Sequence, residues 1–546
     1  MTGAGTLVAD YVVVGAGSAG CVLASRLSAV PDTSVVLVEA GDADRRAELS
    51  VPAAYPRLFG TSADWGFETV AQPGLGGRRV AWPRGRVLGG SSALNAQIWT
   101  RGHPADFDAW AAAGCSGWAW ADVLPYFCRA EQLTGAVATA PAERPSPRVD
   151  RPGALGRHGS VRLTGLRDPS PATAAFLAAC AQAGLPRLAA EGDGRDEGYA
   201  PVLVTQHHGR RWSAVDAYLR PAAGRDSLTV LTGARLRAIT FDAAAATGVE
   251  VVTAAGVVHV AARREVLLAA GAIGSPWALL DAGIGDAAAL RAAGRPVRVH
   301  RPEVGRNLAD HLYVPVSATS PHALSPGVGD QRAGAAEYLA RRRGPLTSNL
   351  AEALAFVRTD PALVAPDIEL LWLVVPRLDQ PSRHGVTVAS VLLQPASRGR
   401  VALDPAAPDA APVIDAGYLT DPDGADLTTL LRGVARARQV LTRPALAAWC
   451  DPDLAGGDVA LCRGSAQTLY HPVGTCRMGA DADAVLDPQL RVRGVERLRV
   501  VDASAMPTIT RAHTQAPTVM LAERAADLVV ADSPARRERA PAGVPG

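Results

Sequence analysis

Residues 10–41 read DYVVVGAGSAGCVLASRLSAVPDTSVVLVEAG, and the rest of the chain is organised around them. Residues 11–14 form a short apolar, β-branched run of the kind buried in a parallel sheet; Gly15-Ala16-Gly17-Ser18-Ala19-Gly20 follows at once and opens a helix of apolar periodicity. In such a turn Gly15 permits the tight bend, Gly17 lets the backbone approach a pyrophosphate, and Gly20 lets helix and strand pack closely. The helix N-terminus adds free amides and a positive dipole end. A second strand, residues 34–38, ends at Glu39, about 20 residues past the glycines, where a carboxylate accepts hydrogen bonds from an adenosine ribose. Strand, glycines, helix, strand and acid in this order predict a dinucleotide site. They do not separate NAD from FAD.

A chain of 546 residues exceeds one hydrophobic core, so two domains are expected. Hydrophobic residues at 48% and charged residues at 20% describe a globular protein, and a net charge of +2 offers no electrostatic ground for a nucleic-acid or membrane partner. All 55 basic residues are arginine. The missing lysine excludes a pyridoxal Schiff base, a lysine nucleophile and a P-loop. Seven scattered cysteines without a CxxC spacing fit a reduced cytoplasm. No secretory leader is visible, and every apolar run breaks short of the roughly 18 residues a membrane span needs. Residues 532–546, rich in Pro and Arg, read as a disordered tail.

Outward from the first element, residues 83–95 (PRGRVLGGSSALN) make a second glycine turn, whose amides at Gly89 and Gly90 could meet another part of the same cofactor. The Trp-rich residues 102–126 read as core packing, and residues 135–156 as a long loop. Residues 264–276 repeat the opening logic of strand, glycine turn and helix. A return to the same parallel sheet so late makes the cofactor domain discontinuous. Residues 304–311 (VGRNLADH) close that section. Strand-like runs at 368–375 and 386–394 with helices at 334–343 and 427–442 predict a substrate domain of antiparallel sheet backed by helices. The expected division is 1–155, 195–310 and 466–531 for the cofactor domain, and 156–194 and 311–465 for the substrate domain.

Two histidines carry the chemistry. His471 lies in YHPVGTCRMG (470–479), where Pro472 and the glycines predict a loop, and His513 precedes the last helix. Beside a flavin, two imidazoles can divide proton work, one accepting an alcohol's hydroxyl proton while the other holds the oxygen.

These stretches, with GAIGSPWALLDAGIG (271–285) and VVDASAMPT (500–508), resemble the glucose-methanol-choline (GMC) oxidoreductases over nearly the full length. The resemblance implies an α/β fold, a Rossmann-like FAD-binding domain related to that of p-hydroxybenzoate hydroxylase with an inserted α+β substrate domain, and oxidation of a primary alcohol to an aldehyde by hydride transfer to flavin N5. It implies His471 as the catalytic histidine and His513 as its partner at the substrate oxygen. Asp502 and Ala503 fall at the diphosphate and ribityl chain, Asn95 on the isoalloxazine side, and Trp65 and Tyr470 near the flavin. The remaining implied cofactor contacts are Gly15, Gly17, Ser18, Ala19, Gly20, Glu39, Ala40, Arg86, Val87, Gly90, Ser91, Ala96, Leu236 and Thr514, with no metal. Leu94 occupies the position where some members carry a histidine covalently joined to FAD, so non-covalent FAD is expected. Arg511-Ala512 replaces the usual Ser-Gly, which turns an arginine either to solvent or toward a polar substrate. The electron acceptor, oxygen, quinone or other, stays open. Alternatives are a lyase on the same scaffold, resembling hydroxynitrile lyases, and a flavin-free binding protein. For a quaternary ammonium substrate such as choline, Glu352 and Trp372 are the candidate partners, set against ordinary core roles.

Overall fold

The computed structural model describes residues 6–43, 46–134, 155–188, 197–326, 332–375, 383–452 and 457–533. The first strand, Leu7–Val14, pairs in parallel with Val35–Val38 on one side and with Gly256–Leu268 on the other. Leu228–Leu231 extends the sheet beyond Val35–Val38, and Leu498–Val500 joins Gly256–Leu268, both in parallel. The residues in register at the carboxyl ends are Val14, Val38, Leu268 and Val500, which brings four chain turns to one edge. In open α/β sheets ligands bind there. Runs 257–261 and 264–268 are one strand of 13 residues, whose first half pairs antiparallel with Ala245–Thr253 and whose second half runs parallel to Leu7–Val14.

The helix Ser18–Leu27 packs against Gln515–Ala531 over the sheet. Glycine is required at residue 20, because a Cβ there would fall 1.8 Å from the Gly15 carbonyl oxygen. Trp110 and Trp118 are buried in the same core, as the Trp-rich reading expected.

The second sheet is antiparallel, in the order Asp451–Pro452, Leu312–Thr319, Gly385–Leu392, Ile368–Leu373, Ala351–Val357 and Gly198–Pro201. Helices Pro171–Gln182 and Ala425–Leu441 back it. Alternation along Ile368–Leu373 sends Ile368, Leu370 and Trp372 into the helix-backed core, while Leu371 and Leu373 face the other way. That second face matters for the site.

Several short pieces cross the expected domain division. Gly198–Pro201, expected in the cofactor domain, is the edge strand of the antiparallel sheet, and Gln467–Thr468 pairs with Leu312–Thr319. Val161–Gly165, expected with the substrate domain, pairs with Glu131–Leu133 and Leu203–Val204 against the cofactor core. Strands of two to five residues show too little periodicity to announce their partner. The tail starts later than expected. Asp532 accepts a hydrogen bond from Arg499 at 2.6 Å and Ser533 accepts one from Arg264 at 3.0 Å, so both belong to the fold. Residues 534–546, and 135–154 of the expected loop, lie outside the described residues. No helix among the described residues is long and apolar enough to cross a membrane.

Candidate active site

A cavity of about 1270 Å³ runs along the carboxyl edge of the first sheet to the free face of the second. That exceeds the roughly 300–1,000 Å³ of a pocket for one small molecule. At one end stand Gly15, Gly17, Ser18 and Ala19, with Glu39, Ala40 and Leu236 beyond them. Trp65, Gly90, Ser91, Asn95, Ala96, Asp502, Ala503 and Thr514 line its middle, and Tyr470, His471 and His513 its inner end.

Three expected contacts do not line it. Gly20 is held under the Gly15 carbonyl, and Val87 is buried in a small cluster with Leu58 and Leu94. Arg86 is exposed, its guanidinium over the Trp65 ring at 5.3 Å. The glycine turn, not these side chains, supplies the wall.

Asp502 reaches the cavity, yet both its oxygens are engaged. Oδ2 accepts from the Gly271 N–H (2.9 Å) and the Ser275 hydroxyl (2.6 Å), and Oδ1 from the Ser504 N–H (2.8 Å) and hydroxyl (2.5 Å). Its work is to hold the turn at 269–271 against the turn at 502–505.

The inner end is a cluster of three imidazoles. His471 and His513 face each other edge to plane, ring centroids 4.9 Å apart at 83°. Behind His471 stands His311, Nδ1 to Nδ1 at 2.9 Å, and His311 Nε2 meets the Leu393 carbonyl at 3.1 Å. His513 Nε2 lies 3.1 Å from Glu369 Oε1 and its backbone N–H donates to the Thr100 hydroxyl at 3.0 Å. Asp310 pins the loop. One oxygen accepts the His471 N–H at 2.7 Å, and the other accepts the hydroxyls of Thr468 (2.6 Å) and Tyr418.

Burial governs the protonation of this cluster. It pulls His311 down to about 3 and His471 well below the ordinary imidazole range, with the neighbouring rings adding to both. Both are therefore neutral at physiological pH, the form in which an imidazole accepts a proton.

Two open questions from the sequence close here. Arg511 turns to neither the cavity nor a substrate: its guanidinium and backbone N–H (2.7 Å) both bind Asp106, the acid in the first turn of Pro104–Ala112. Glu352 and Trp372 form no ammonium cage. Glu352 accepts from the Ser170 N–H (2.8 Å) and the Ser348 hydroxyl (2.6 Å), and Trp372 stacks on Phe176 at 4.8 Å in the core. Strand alternation put that indole on the far side of the sheet.

Sequence reasoning did not assign Asp310, His311 or Glu369. The first two close the quoted VGRNLADH stretch, and Glu369 is a lone acid in the apolar strand IELLWL. Two acids and an imidazole among apolar neighbours were the available signal.

Residues 9–313 match the N-terminal part, and residues 395–522 the C-terminal part, of the family described as GMC oxidoreductase. The chain belongs to the GMC oxidoreductase family. An uncharacterised GMC-type oxidoreductase of Mycobacterium bovis is 44% identical, covering 95% of this chain and 99% of its own. An alcohol dehydrogenase [acceptor] of Pseudomonas putida is 36% identical, covering 95% of each. Among solved structures, pyridoxine 4-oxidase from Mesorbium loti superposes with a TM-score of 0.83 at 34% identity, over 95% of this chain and 98% of that one.

The family implies FAD, and the residues of this GMC oxidoreductase fit it. Helix Ser18–Leu27 has no side-chain cap, so its first amides are free for a phosphate. Gly90 (φ +50°) closes over Gly17, where a Cβ would come within 2.7 Å of the Gly17 Cα. That close approach sets the two glycine turns side by side on the cavity edge, where both can present backbone amides to a diphosphate. Glu39 accepts the Ala16 (2.9 Å) and Gly41 (2.8 Å) N–H groups and borders the cavity, where it would accept from a ribose hydroxyl of bound FAD. Asn95 Oδ1 accepts from Arg211 at 2.7 Å, which leaves its amide N–H groups to a bound ring. Bound there, FAD supplies a two-electron hydride acceptor.

Proposed function

We propose that this GMC oxidoreductase oxidises the CH–OH group of an uncharged, largely apolar alcohol, a primary alcohol giving an aldehyde, with FAD held non-covalently. The observation that carries the reading is the neutral, half-buried His471 in edge-to-plane contact with His513 at the inner end of a cavity whose adjoining wall is apolar. Ile98, Tyr313, Leu350, Leu371, Leu373 and Leu469 supply that wall. His471 takes the hydroxyl proton and His513 holds the oxygen, which aligns the carbinol C–H for transfer. Leu94, a hydrocarbon beside the cavity, has no atom able to form the histidine–flavin bond.

The names of relatives support the class: the Pseudomonas putida protein is called an alcohol dehydrogenase and the Mesorbium loti one a pyridoxine oxidase. The wall narrows it further. Each methylene buried against such a surface contributes about 0.8 kcal/mol, close to fourfold in kcat/KM.

The test is anaerobic mixing of the yellow holoenzyme with a panel of linear, aromatic, quaternary-ammonium and sugar alcohols. Bleaching of the oxidised flavin band should strengthen with chain length or aryl size. Bleaching by choline or a sugar ahead of benzyl alcohol and hexanol would refute the apolar assignment. Product formation with an unbleached band would replace oxidation by the lyase reading. Reoxidation by oxygen against a quinone or dye then identifies the acceptor.

A further inference from the structure

We propose that His311 is a positioning residue that holds His471 in its Nδ1–H tautomer, leaving the Nε2 lone pair of His471 to take the substrate's hydroxyl proton. The inference rests on the alcohol-oxidation reading for its use, and on two contacts for its content.

The Leu393 carbonyl can only accept, so the 3.1 Å contact requires a hydrogen on His311 Nε2. A neutral imidazole carries one hydrogen, so His311 Nδ1 is bare. Nδ1 of His471 lies 2.9 Å from that bare nitrogen, and the pair forms a hydrogen bond only if His471 supplies the hydrogen. His471 Nε2 is then the unprotonated atom. Full burial of His311, with His513 beside it, keeps its ring neutral against the Leu393 and Thr510 carbonyls, which both favour a proton on it.

The other groups around His471 leave this assignment standing. Asp310 takes the backbone N–H of His471, and His513 presents its ring at 83°. The Arg84 guanidinium disfavours a second proton on the ring. A flipped His471 ring would set a carbon against His311 Nδ1 and forfeit the bond. Tautomer and ring orientation are thus set by one contact, which itself depends on the backbone carbonyl of Leu393, just past the strand Gly385–Leu392.

In the reaction the alcohol O–H bond breaks and its proton forms an N–H bond at His471 Nε2. The electron pair left on oxygen becomes the second C–O bond as the C–H pair departs to the flavin. The Nδ1–H bond to His311 persists throughout, and the chain from His471 through His311 to the Leu393 carbonyl is polarised so as to stabilise the new cation.

The test uses holoenzyme labelled with ¹⁵N-histidine, with His471→Asn to assign the signal. The expected result is a pyrrole-type Nδ1 and a pyridine-type Nε2 for His471, with the reverse pattern for His311. A pyridine-type Nδ1 on His471 overturns the proposal, whatever the substrate. In kinetics, His311→Phe, which cannot accept, should slow anaerobic flavin reduction about 10²-fold, the lower end of general-base help. His311→Gln, whose carboxamide can accept from His471 and donate to Leu393, should stay within about 5-fold, the equivalent of one ordinary hydrogen bond. Equal losses in both variants would mean packing alone and would also overturn it. If no alcohol bleaches the wild-type flavin, the alcohol reading falls, and the nitrogen shifts still judge His311.

Discussion

Replacing His471 by alanine separates chemistry from cofactor binding in one variant. The imidazole supplies the base, and positioned proton acceptors contribute about 10²–10⁴-fold, or roughly 2.7–5.4 kcal/mol of barrier at 1.36 kcal/mol per decade. The loop should survive. Its anchor is the backbone N–H of His471 on Asp310 (2.7 Å), which alanine retains, together with the Thr468 hydroxyl on the same carboxylate (2.6 Å). FAD should survive too, because its cradle is the pair of glycine turns at Gly17 and Gly90 and the Glu39 carboxyl, none of which touches His471. The stability cost comes from His311, whose Nδ1 loses its partner while wholly buried, an unsatisfied acceptor worth about 1–3 kcal/mol. The assay is anaerobic stopped-flow at the flavin band with the best alcohol from the panel, run beside the protein-bound flavin ratio and a thermal melt. Flavin reduction slowed by 10² or more with full FAD content is the expected result. Unchanged reduction kinetics would refute His471 as the base, and loss of FAD would refute the account of what holds the loop.

Gly90→Ala should yield colourless protein that also melts lower, because the added methyl meets the Gly17 Cα at 2.7 Å from a backbone at φ +50° and forces the two glycine turns apart; retained yellow colour with an unchanged melt would disprove that placement. Burial raises Glu39 to about 7 from an ordinary 4.5, so in the protein without FAD the ionised carboxylate costs stability that is lost as pH rises through that window. A donor from the ribose favours the ionised form. The thermal shift produced by FAD should therefore grow between about pH 4.5 and 7 and flatten in Glu39→Gln, and a pH-independent shift would contradict it. Glu369→Leu removes the carboxylate 3.1 Å from His513 and should slow flavin reduction about 10-fold or more while leaving FAD in place; an unaffected rate would show that His513 needs no such partner.

The first element was legible because its requirements are local. A glycine at 15 with φ +101°, a glycine at 20 under a carbonyl, and an acid at 39 at the end of the next strand are consequences of backbone geometry over thirty residues. The same holds for the second turn at Gly90 and for strand and helix runs such as Ile368–Leu373 and Ala425–Leu441. The two histidines were legible through the loop residues around them and through the family resemblance.

What the tertiary structure decided is which side chains meet. His311, Leu393 and His471 come from three separate segments, and Glu369 reaches His513 across 144 positions. No periodicity encodes such meetings, since each depends on the register of one sheet against the edge of another. Arg511 was ambiguous in sequence and became a partner of Asp106 only when Pro104–Ala112 was set beside it. Trp372 looked available and was turned into the core by the parity of its strand. Backbone conformation is written in neighbouring residues, so the sequence determined the cofactor cradle, whereas hydrogen-bond partners fall off so steeply with distance that only the packed molecule chose them.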